Sequence, residues 1–253
     1  MAILETAVIL SAGRGRRLGD LTKDSPKCLL DFAGKTILEN QLENLSENHV
    51  KKAVVVVGYN SKKIISKIGH TDFGLNVKFV YNPVFWKTGA AYSLYLAKDE
   101  IEADFALLLG DVLFHGDIIE RLVESGFDNC LAVHRCSLNK DAIKVKLSSG
   151  RVVAIGKHLN PSDAHCEFTG ISKFSFSIKR LLMKEIKNLI DKGEQRSYFV
   201  TALDQILRFA DIRTIDVSNL PSFEIDTSED LAFARKTYNG FKRKLKSASY
   251  DLV

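Results

Sequence analysis

The stretch of sequence that decides the fold is A-V-I-L-S-A-G-R-G-R-R-L, residues 7–18. Its first part belongs to an apolar run from Ile3 to Leu10, which is typical of a buried β-strand. A loop that starts at Ser11 follows this strand directly. Because ligands bind beyond the carboxyl ends of the strands in open α/β sheets, we expect the loop to face a binding site.

The loop has a composition that favours phosphate binding. Gly13 and Gly15 leave room for backbone N–H groups to approach a phosphate chain. Forked cationic donors are supplied by Arg14, Arg16 and Arg17. The loop does not complete the G-x-G-x-x-G dinucleotide pattern, because Leu18 occupies the last glycine position, and it does not match G-x-x-x-x-G-K-[ST] either.

Strand and helix patterns alternate in the first half of the chain, which predicts a doubly wound α/β sheet with mainly parallel strands. Further strands are predicted at 53–57, 77–81 and 105–109, and helices from Ile37, around 62–68 and around 90–97. The second half is richer in short strands, predicted at 130–134, 143–147, 152–155, 168–176, 213–217 and 223–225. Helices are expected at 178–190, at 199–209 and after Thr227, and Ser148-Ser149-Gly150 predicts a hairpin.

Three charged residues stand where a phosphate site would need them. Lys27 follows Pro26, and a lysine close to a phosphate loop can neutralise charge that develops on a phosphoryl group. Asp111 follows the apolar strand 105–109, and Asp226 ends the strand-like F-E-I-D. Two such carboxylates, together with substrate phosphates, can clamp Mg²⁺. Taken singly, each of the three is also typical of a solvated or helix-capping residue.

The composition excludes several classes of protein. With 45% hydrophobic and 26% charged residues, the chain is typical of a folded domain and not of a disordered one. The net charge of +5 suits an anionic ligand or a solvated basic face, and the dense basic stripe of a nucleic-acid binder is absent from the sequence. Basic residues cluster only near 242–246.

The cellular location is predicted from the cysteines and the apolar runs. The four cysteines form no C-x-x-C pair, which favours reduced thiols. The first residues lack a basic segment and place Glu5 inside the apolar stretch, unlike a signal peptide. No apolar run approaches the roughly 20 residues that span a bilayer. We therefore expect a cytoplasmic protein without a membrane segment.

Together the motifs resemble those of the sugar-phosphate-type nucleotidyltransferases. The first matches are residues 7–18, T-K-D-S-P-K-C-L-L at 22–30 and G-K-T-I-L-E-N-Q at 34–41. Later segments are similar to the small bacterial and archaeal cytidylyltransferases that act on phosphocholine, aminoethylphosphonate or inositol 1-phosphate. These segments are N-P-V-F-W-K-T-G-A-A-Y-S-L (82–94), L-L-G-D-V-L-F (108–114), K-V-K-L-S-S-G-R-V-V-A-I-G-K (144–157), F-T-G-I-S-K-F-S (168–175) and F-E-I-D-T-S-E-D-L-A-F-A-R (223–235).

The resemblance implies a Rossmann-like, doubly wound mixed sheet with a small β-rich lid that binds the acceptor. It implies one domain over residues 1–253, in which about 1–128 binds the nucleotide and about 129–253 binds the acceptor. Arg17 and Lys27 are expected to grip the triphosphate as catalytic residues, and Asp111 and Asp226 to bind Mg²⁺. Nucleotide contacts are expected from Leu10, Ser11, Ala12, Gly13, Arg14, Gly15, Lys27, Thr88 and Asp111. Acceptor contacts are expected from Lys144, Lys157 and Glu167, with exposed strand positions as the alternative for Lys144 and Glu167.

The reaction that the resemblance implies is transfer of CMP from CTP to a small phosphorylated or phosphonate acceptor, with release of pyrophosphate. The acceptor phosphate is already nucleophilic at pH 7, so no general base is required and no histidine receives a role. The expected partners are an NTP, with CTP favoured, and the acceptor, without nucleic acid or a membrane. A homodimer is left open.

Two departures from the resembling family bear on the substrates. Gly89 and Ala90 replace an asparagine-containing segment, which weakens the preference for cytosine over uracil. Val200 and Thr201 replace an acidic pair, which removes carboxylates that a cationic acceptor would need. The aromatic residues that could enclose choline, most of them expected in the core, are Phe85, Trp86, Tyr92, Phe168, Tyr198 and Phe199. An uncharged-headed acceptor such as a phosphorylated polyol is therefore favoured over phosphocholine.

Three other functions were weighed. A uridylyl- or thymidylyltransferase acting on a sugar 1-phosphate would use the same fold and metal. A catalytically inactive nucleotide sensor is disfavoured because Lys27, Asp111 and Asp226 are all intact. A dinucleotide-dependent oxidoreductase is disfavoured by the incomplete glycine pattern and by Val57-Gly58, where an acidic residue would be needed.

Overall fold

A computed structural model describes residues 4–135 and 141–237. The strands are β1 (Thr6–Ser11), β2 (Asp31–Phe32), β3 (Lys35–Thr36), β4 (Lys52–Val57), β5 (Asn76–Tyr81), β6 (Phe105–Leu109), β7 (Val112–Phe114), β8 (Cys130–His134), β9 (Lys144–Ser148), β10 (Arg151–Gly156), β11 (Cys166–Phe174), β12 (Arg213–Asp216) and β13 (Ser222–Glu224). The helices are α1 (Ile37–Glu47), α2 (Ser61–Ile68), α3 (Ala90–Leu96), α4 (Asp117–Glu124), α5 (Phe176–Asp191), α6 (Phe199–Ile206) and α7, which begins at 228 and is described through 237. Short 3₁₀ turns lie at Arg16–Thr22, Lys27–Leu29, Lys98–Glu100, Pro161–Asp163 and Leu207–Phe209.

One sheet organises the described part of the chain. Its order is β10-β9-β11-β6-β1-β4-β5, and β8 joins it by pairing with both β11 and β12. Strands β6, β1, β4 and β5 are parallel. The chain turns from β1 toward β4 on one side and returns to β6 on the other, so the topology reverses between β1 and β6. In open α/β sheets this reversal opens a crevice at the strand ends.

The sheet is buried on both faces, as the sequence predicts. Along β1, Val8 packs into one apolar core, and its neighbours Ala7 and Ile9 pack into the opposite one. Successive side chains of a strand point to opposite faces, so continuous apolar strands need helices on each side. The helices α3, α5 and α6 contribute to the core of Val8, and α1, α2 and α4 to the other.

The expected mixed sheet is confirmed: the second half of the sheet is mostly antiparallel, although its strands β8 and β12 pair in parallel. Strand β11 runs antiparallel to β6, β8 and β9. The predicted hairpin is confirmed: β9 and β10 pair antiparallel, and Ser149 (φ 48°) and Gly150 (φ 74°) form the two-residue turn. The β-rich segment that the sequence predicts therefore extends the main sheet.

Several element boundaries differ from the prediction because capping residues end or begin them. The strand expected at 168–176 is Cys166–Phe174, since Ser175 is the N-cap of α5. The helix expected at 199–209 ends at Ile206 and continues only as a 3₁₀ turn. The predicted cap of the last helix is confirmed, because the Asp230 backbone N–H donates to Thr227 Oγ1 at 3.2 Å.

Helix α1 fixes the end of β6. The buried Gln41 donates from Nε2 to the carbonyl oxygens of Leu109 and Val112, both at 2.8 Å. These two carbonyls flank Gly110 and Asp111, where the chain leaves β6 and enters β7. Asn44, one turn later, donates to the carbonyl of Phe114 at 2.8 Å. Polar side chains of α1 thereby hold the turn that carries Asp111.

No helix in residues 4–135 or 141–237 is both long and apolar enough to cross a membrane. The described cysteines, Cys28, Cys130 and Cys166, are buried. Cys136 and the basic residues near 242–246 lie outside the described residues. Burial raises the pKa of the Cys28 thiol to about 12.

Cys28 is therefore expected to resist iodoacetamide in the folded protein at pH 8, because the thiolate is the reactive form. The same thiol should react readily once the protein is unfolded in urea. Mass-spectrometric mapping of the peptide that contains Cys28 separates it from the other cysteines. Labelling of native Cys28 at the rate found in urea would contradict the buried placement.

Candidate active site

A cleft opens beyond the carboxyl ends of β1 and β6, at the reversal of the sheet. One wall is the loop after β1, another is the 88–90 segment that starts α3, and the third comes from the antiparallel half of the molecule. The lining residues are Leu10, Ala12, Gly13, Arg17, Asn82, Phe85, Thr88, Gly89, Ala90, Ser93, Leu109, Asp111, Ile143, Lys157, Tyr198, Glu224 and Asp226. Toward the loop it continues past Ser11, Gly15 and Lys27. We call this space the cleft.

Strand pairing brings Asp111 and Asp226 together, although they are far apart in sequence. Asp111 stands between β6 and β7, and β7 pairs antiparallel with β13, with Val112 opposite Glu224. The ladder extends by one bond, from the backbone N–H of Ile225 to the carbonyl of Asp111 at 2.9 Å. Asp226, the next residue, therefore reaches the cleft beside Asp111.

Lys27 lies between these two aspartates and is itself buried, with a relative exposure of 7%. Its Nζ donates to Asp111 Oδ2 at 2.8 Å and to Asp226 Oδ1 at 2.6 Å. Arg17, which is largely exposed, donates to the other oxygen of Asp226 at 2.5 Å. The structure thus joins the two predicted catalytic cations and the two predicted metal ligands in a single network.

The pKa shifts in this network follow from its charges. Burial by itself would lower the pKa of Lys27, but the adjacent carboxylates of Asp111 and Asp226 outweigh burial and raise it. Burial would likewise raise the pKa of Asp226, but Lys27 and Arg17 bring it below its usual value. Lys27 therefore stays an ammonium and Asp226 a carboxylate near neutral pH.

A third carboxylate, Glu224, belongs to the site and was missed in the sequence. Carboxylate oxygens of Asp111, Glu224 and Asp226 lie within 4.8 Å of one another, and we call these residues the carboxylate cluster. Enclosure by the cleft walls, and then repulsion from the other two carboxylates, raises the pKa of Glu224 to about 7, although the side chain still contacts solvent. The E-x-D spacing was the available signal, because residues i and i+2 of a strand share a face.

The carboxylate cluster has the chemistry of a Mg²⁺ site. Mg²⁺ prefers carboxylate oxygens and usually shares them with substrate phosphates. Asp111 Oδ1 is buried and has no hydrogen-bond partner among the described residues, so an oxygen ligand is available there. An unsatisfied buried carboxylate oxygen is costly unless a cation or donor compensates it. The residues present therefore fit such an ion.

The 88–90 wall is fixed from both sides. Asn82, which is buried, donates to Thr88 Oγ1 at 3.0 Å and to Ser93 Oγ at 3.1 Å. The backbone N–H of Gly89 donates to the carbonyl of Gln195 at 2.8 Å. A Cβ at Gly89 would lie 2.4 Å from the Arg196 carbonyl oxygen, so the neighbouring chain leaves no room for a side chain there. The close packing of residues 195–197 against position 89 therefore accounts for the glycine there, which is one of the differences from the resembling family.

The predicted acceptor residues do not all meet in the cleft. Lys157 lines it, with Nζ 5.4 Å from the centre of the Tyr198 ring. Lys144 is instead buried and donates to the carbonyl of Ala142 at 3.1 Å. Glu167 lies on β11, where the strand register sets it opposite Lys144 of β9 on one side and His134 of β8 on the other. Neither Lys144 nor Glu167 lines the cleft in the described residues, so their expected contact with an acceptor has no support from the geometry.

A side chamber continues from the cleft past Lys157 and Tyr198. Its lining residues are Ile143, Ile155, Gly156, Lys157, His158, Tyr198, Val200, Thr201, Asp204 and Gln205. Asp204 Oδ1 accepts the backbone N–H of Ile155 at 2.8 Å, which ties α6 to the edge strand β10. Val200 packs mainly into the apolar core, whereas Thr201 is half-buried at the chamber.

The aromatic residues considered for a cage separate into two groups. Phe168 and Phe199 are buried against each other in the core, with ring centres 6.0 Å apart. Trp86 and Tyr198 are exposed and line an outer recess beside the loop, together with Arg14 and Arg196. Arg14 lies 5.3 Å from the ring centre of Tyr59 in the same recess. Phe85 lines both the recess and the cleft, and its ring centre lies 5.4 Å from that of Trp86.

Known proteins are similar to this chain in sequence and in fold. The family model of the MobA-like NTP transferase domain matches residues 7–162. The bifunctional IPC transferase and DIPP synthase of Aquifex aeolicus is 32% identical over 240 residues, which covers 92% of this chain and 52% of that protein. The chain spans about half the length of this and other curated relatives that it matches.

Two further relatives differ in the substrates that their names give. The UTP–glucose-1-phosphate uridylyltransferase AglF of Haloferax volcanii is 27% identical over 227 residues, covering 87% of this chain and 90% of that protein. The solved structure of the inositol-1-phosphate CTP transferase from T. maritima has a TM-score of 0.73 at 24% identity, covering 90% of this chain and 92% of that one. The latter likeness shows the same fold.

Gly15 gives a direct test of the loop geometry. Its φ of +70° is left-handed, and a Cβ there would lie 2.9 Å from Lys27 Cβ. Gly15→Ala is therefore expected to lower the free energy of unfolding by about 1–2 kcal/mol, from the backbone conformation alone. Urea denaturation followed by circular dichroism measures this change.

Gly13→Ala is the matched control, because a Cβ at Gly13 would meet nothing within 4 Å. Its effect on stability is expected to stay within about 0.5 kcal/mol. Equal losses in the two variants would contradict the left-handed conformation of Gly15 and its close approach to Lys27.

Proposed function

The chain belongs to the family of MobA-like NTP transferase domains, and from this premise we propose that it is a Mg²⁺-dependent nucleotidyltransferase that transfers CMP from CTP to a small phosphorylated acceptor. The observation that carries the proposal is the network of Lys27, Arg17, Asp111 and Asp226 beside the glycine-containing loop. It combines cations for a triphosphate with carboxylates for a metal at the end of one cleft.

The chemistry requires alignment and charge neutralisation more than proton transfer. A phosphate oxygen of the acceptor attacks the α-phosphorus of the NTP, the bond between the α-phosphorus and its bridging oxygen to the β-phosphate breaks, and pyrophosphate leaves. Asp111, Asp226 and Glu224 would hold Mg²⁺, which supplies charge neutralisation to the phosphates when bound. Arg17 and Lys27 are positioned to bind triphosphate oxygens, where negative charge develops during transfer.

The described residues also suggest how the two substrates are arranged. The loop after β1 and the 88–90 segment face each other across the cleft, so the nucleotide is proposed to lie between them. Lys157 is the cation on the opposite side and is proposed to bind the acceptor phosphate. With its phosphate on Lys157, the body of the acceptor is proposed to lie in the side chamber, which Lys157 also lines.

The side chamber favours an acceptor with hydroxyl groups. Thr201, Gln205 and His158 offer hydrogen-bonding groups there. Its carboxylate, Asp204, already accepts a backbone N–H, and of the aromatic residues considered for a choline cage only Tyr198 lines the chamber. We therefore propose a phosphorylated polyol in preference to phosphocholine.

A uridylyltransferase acting on a sugar 1-phosphate is the second candidate. The observation in its favour is the similarity to AglF, which extends over 90% of that protein. CTP remains the proposed nucleotide because the motifs at 82–94 and 223–235 resemble those of the cytidylyltransferases. The packing at Gly89 does not separate the two bases, since backbone groups and not a side chain form that wall.

Pyrophosphate release with each NTP, measured against a panel of acceptors, tests the proposal. The panel contains inositol 1-phosphate, glycerol phosphate, glucose 1-phosphate, phosphocholine and aminoethylphosphonate. CTP with a polyol phosphate is expected to give the highest kcat/KM, and chelation by EDTA should abolish turnover. Turnover with UTP and glucose 1-phosphate but not with CTP would establish the second candidate. A preference for phosphocholine that is lost in Trp86→Ala would contradict the acceptor assignment.

Lys27→Met tests the role of the ammonium group, because methionine keeps much of the aliphatic length without the charge. Charge on the transferring phosphate grows in the transition state, so kcat is expected to fall on the order of 10²–10³-fold, with a smaller change in the KM for the acceptor. Steady-state kinetics at saturating NTP measure this. Lys35→Met is the control, since Lys35 pairs with Glu43 on the surface and should leave kcat unchanged.

A further inference from the structure

The position of Lys27 raises a question about the proposed metal. Its Nζ takes one oxygen from each of Asp111 and Asp226, at 2.8 Å and 2.6 Å, and these are the carboxylates expected to bind Mg²⁺. Arg17 takes the second oxygen of Asp226. Among the four carboxylate oxygens of the two aspartates, Asp111 Oδ1 is the one that has no hydrogen-bond partner in the described residues. An ammonium group thus competes with any ion for this cluster.

We infer that Lys27 takes the place of the metal in the nucleotide-free protein, so that the metal enters only together with the triphosphate, to which Lys27 then moves. The inference rests on the proposed function, because it concerns the same carboxylates. It gives Lys27 a positioning role in addition to its proposed contact with the phosphates: in the free protein it holds Asp111 and Asp226 at the spacing that a cation needs.

The charges of the site support this order of binding. The carboxylates of Asp111 and Asp226 are already balanced by the side chains of Lys27 and Arg17. A divalent cation that arrived alone would meet two cations within the same few ångströms and would leave the site with excess positive charge. A metal that arrives with a triphosphate brings more negative charge than positive, so its phosphates give Lys27 and Arg17 new anionic partners in place of the carboxylates that the metal takes.

The burial of Lys27 gives the second argument. Only 9% of its side chain is exposed, and a buried ammonium without a partner is strongly unfavourable. If the metal displaced Lys27 from both aspartates without a nucleotide, the ammonium would lose both of its carboxylate partners while still buried. The phosphate oxygens of a bound NTP offer new partners next to the loop at Gly15, which Lys27 already contacts closely enough to exclude a Cβ.

Binding of Mn²⁺ alone, followed by the electron paramagnetic resonance signal of the free ion, tests the inference without turnover. The wild-type protein is expected to bind Mn²⁺ weakly in the absence of nucleotide, and CTP should strengthen binding. In Lys27→Met the affinity for Mn²⁺ alone is expected to rise at least about tenfold, because the competing ammonium is gone. The same variant is the one expected to turn over slowly, so the metal affinity and the rate should change in opposite directions.

Arg17→Met is the matched control. It removes one positive charge from the same network, but Arg17 contacts only Asp226 of the two aspartates, whereas Lys27 lies between both. Its Mn²⁺ affinity is expected to rise by less than about threefold, because the exposed guanidinium is screened by water. Equal gains in the two variants would show a general charge effect and would overturn the inference. So would tight Mn²⁺ binding by the wild-type protein alone.

Thermal unfolding keeps the test decisive if Lys27→Met is less stable. Without the ammonium the two aspartates repel each other, and Mg²⁺ should then raise the Tm of the variant but not that of the wild type. An unchanged Tm for Lys27→Met in Mg²⁺ would also overturn the inference. A protein that shows these metal effects but releases no pyrophosphate with any NTP would instead refute the proposed function.

Discussion

A buried ammonium group between two carboxylates is the interaction on which the cleft depends. Lys27 could not remain charged in its position without Asp111 and Asp226, and the two aspartates could not lie so close together without a cation between them. Each of these residues comes from a different segment of the chain. The electrostatic requirement therefore joins the loop after β1, the end of β6 and the end of β13 into one site.

The fold meets this requirement through two kinds of strand pairing. Parallel pairing of β1 and β6 places Ser11 and Gly110 side by side at one edge of the sheet. Antiparallel pairing of β7 and β13 then brings a distant segment back to the same point. Helix α1 contributes the buried Gln41, which fixes the turn between β6 and β7. Backbone hydrogen bonds thus position the three segments, and contacts between the charged side chains join them.

The sequence predicted the parts of this arrangement that depend on local pattern. Continuous apolar runs identified β1, β4 and β6, and their ends pointed to Gly15, Lys27 and Asp111. The mixed sheet was expected from the family resemblance, but the direction of β11 was not predicted, because a buried strand has the same composition in either direction. Asn82 was missed because its contacts are made across the fold, whereas the E-x-D spacing could have indicated Glu224.

The acceptor contacts expected of Lys144 and Glu167 stay predictions for a related reason. Lys144 and Glu167 stand on a strand pair, and only the register of β9 and β11 decides whether they face the cleft or each other. A shift of one residue would turn them to the opposite face, and no feature of the local sequence sets that register. The local sequence therefore leaves the direction of these two side chains open.

The pairing of β13 with β7 has a consequence for the order in which the protein is made. Lys27 and Asp226 are 199 residues apart, so the loop and its lysine leave the ribosome long before their second counter-ion. The parallel strands β1, β4, β5 and β6 can assemble during that interval, since they are all synthesised earlier. A nascent chain would then carry a folded sheet and an incomplete cleft. Competence to bind a charged substrate would come only with the last strand.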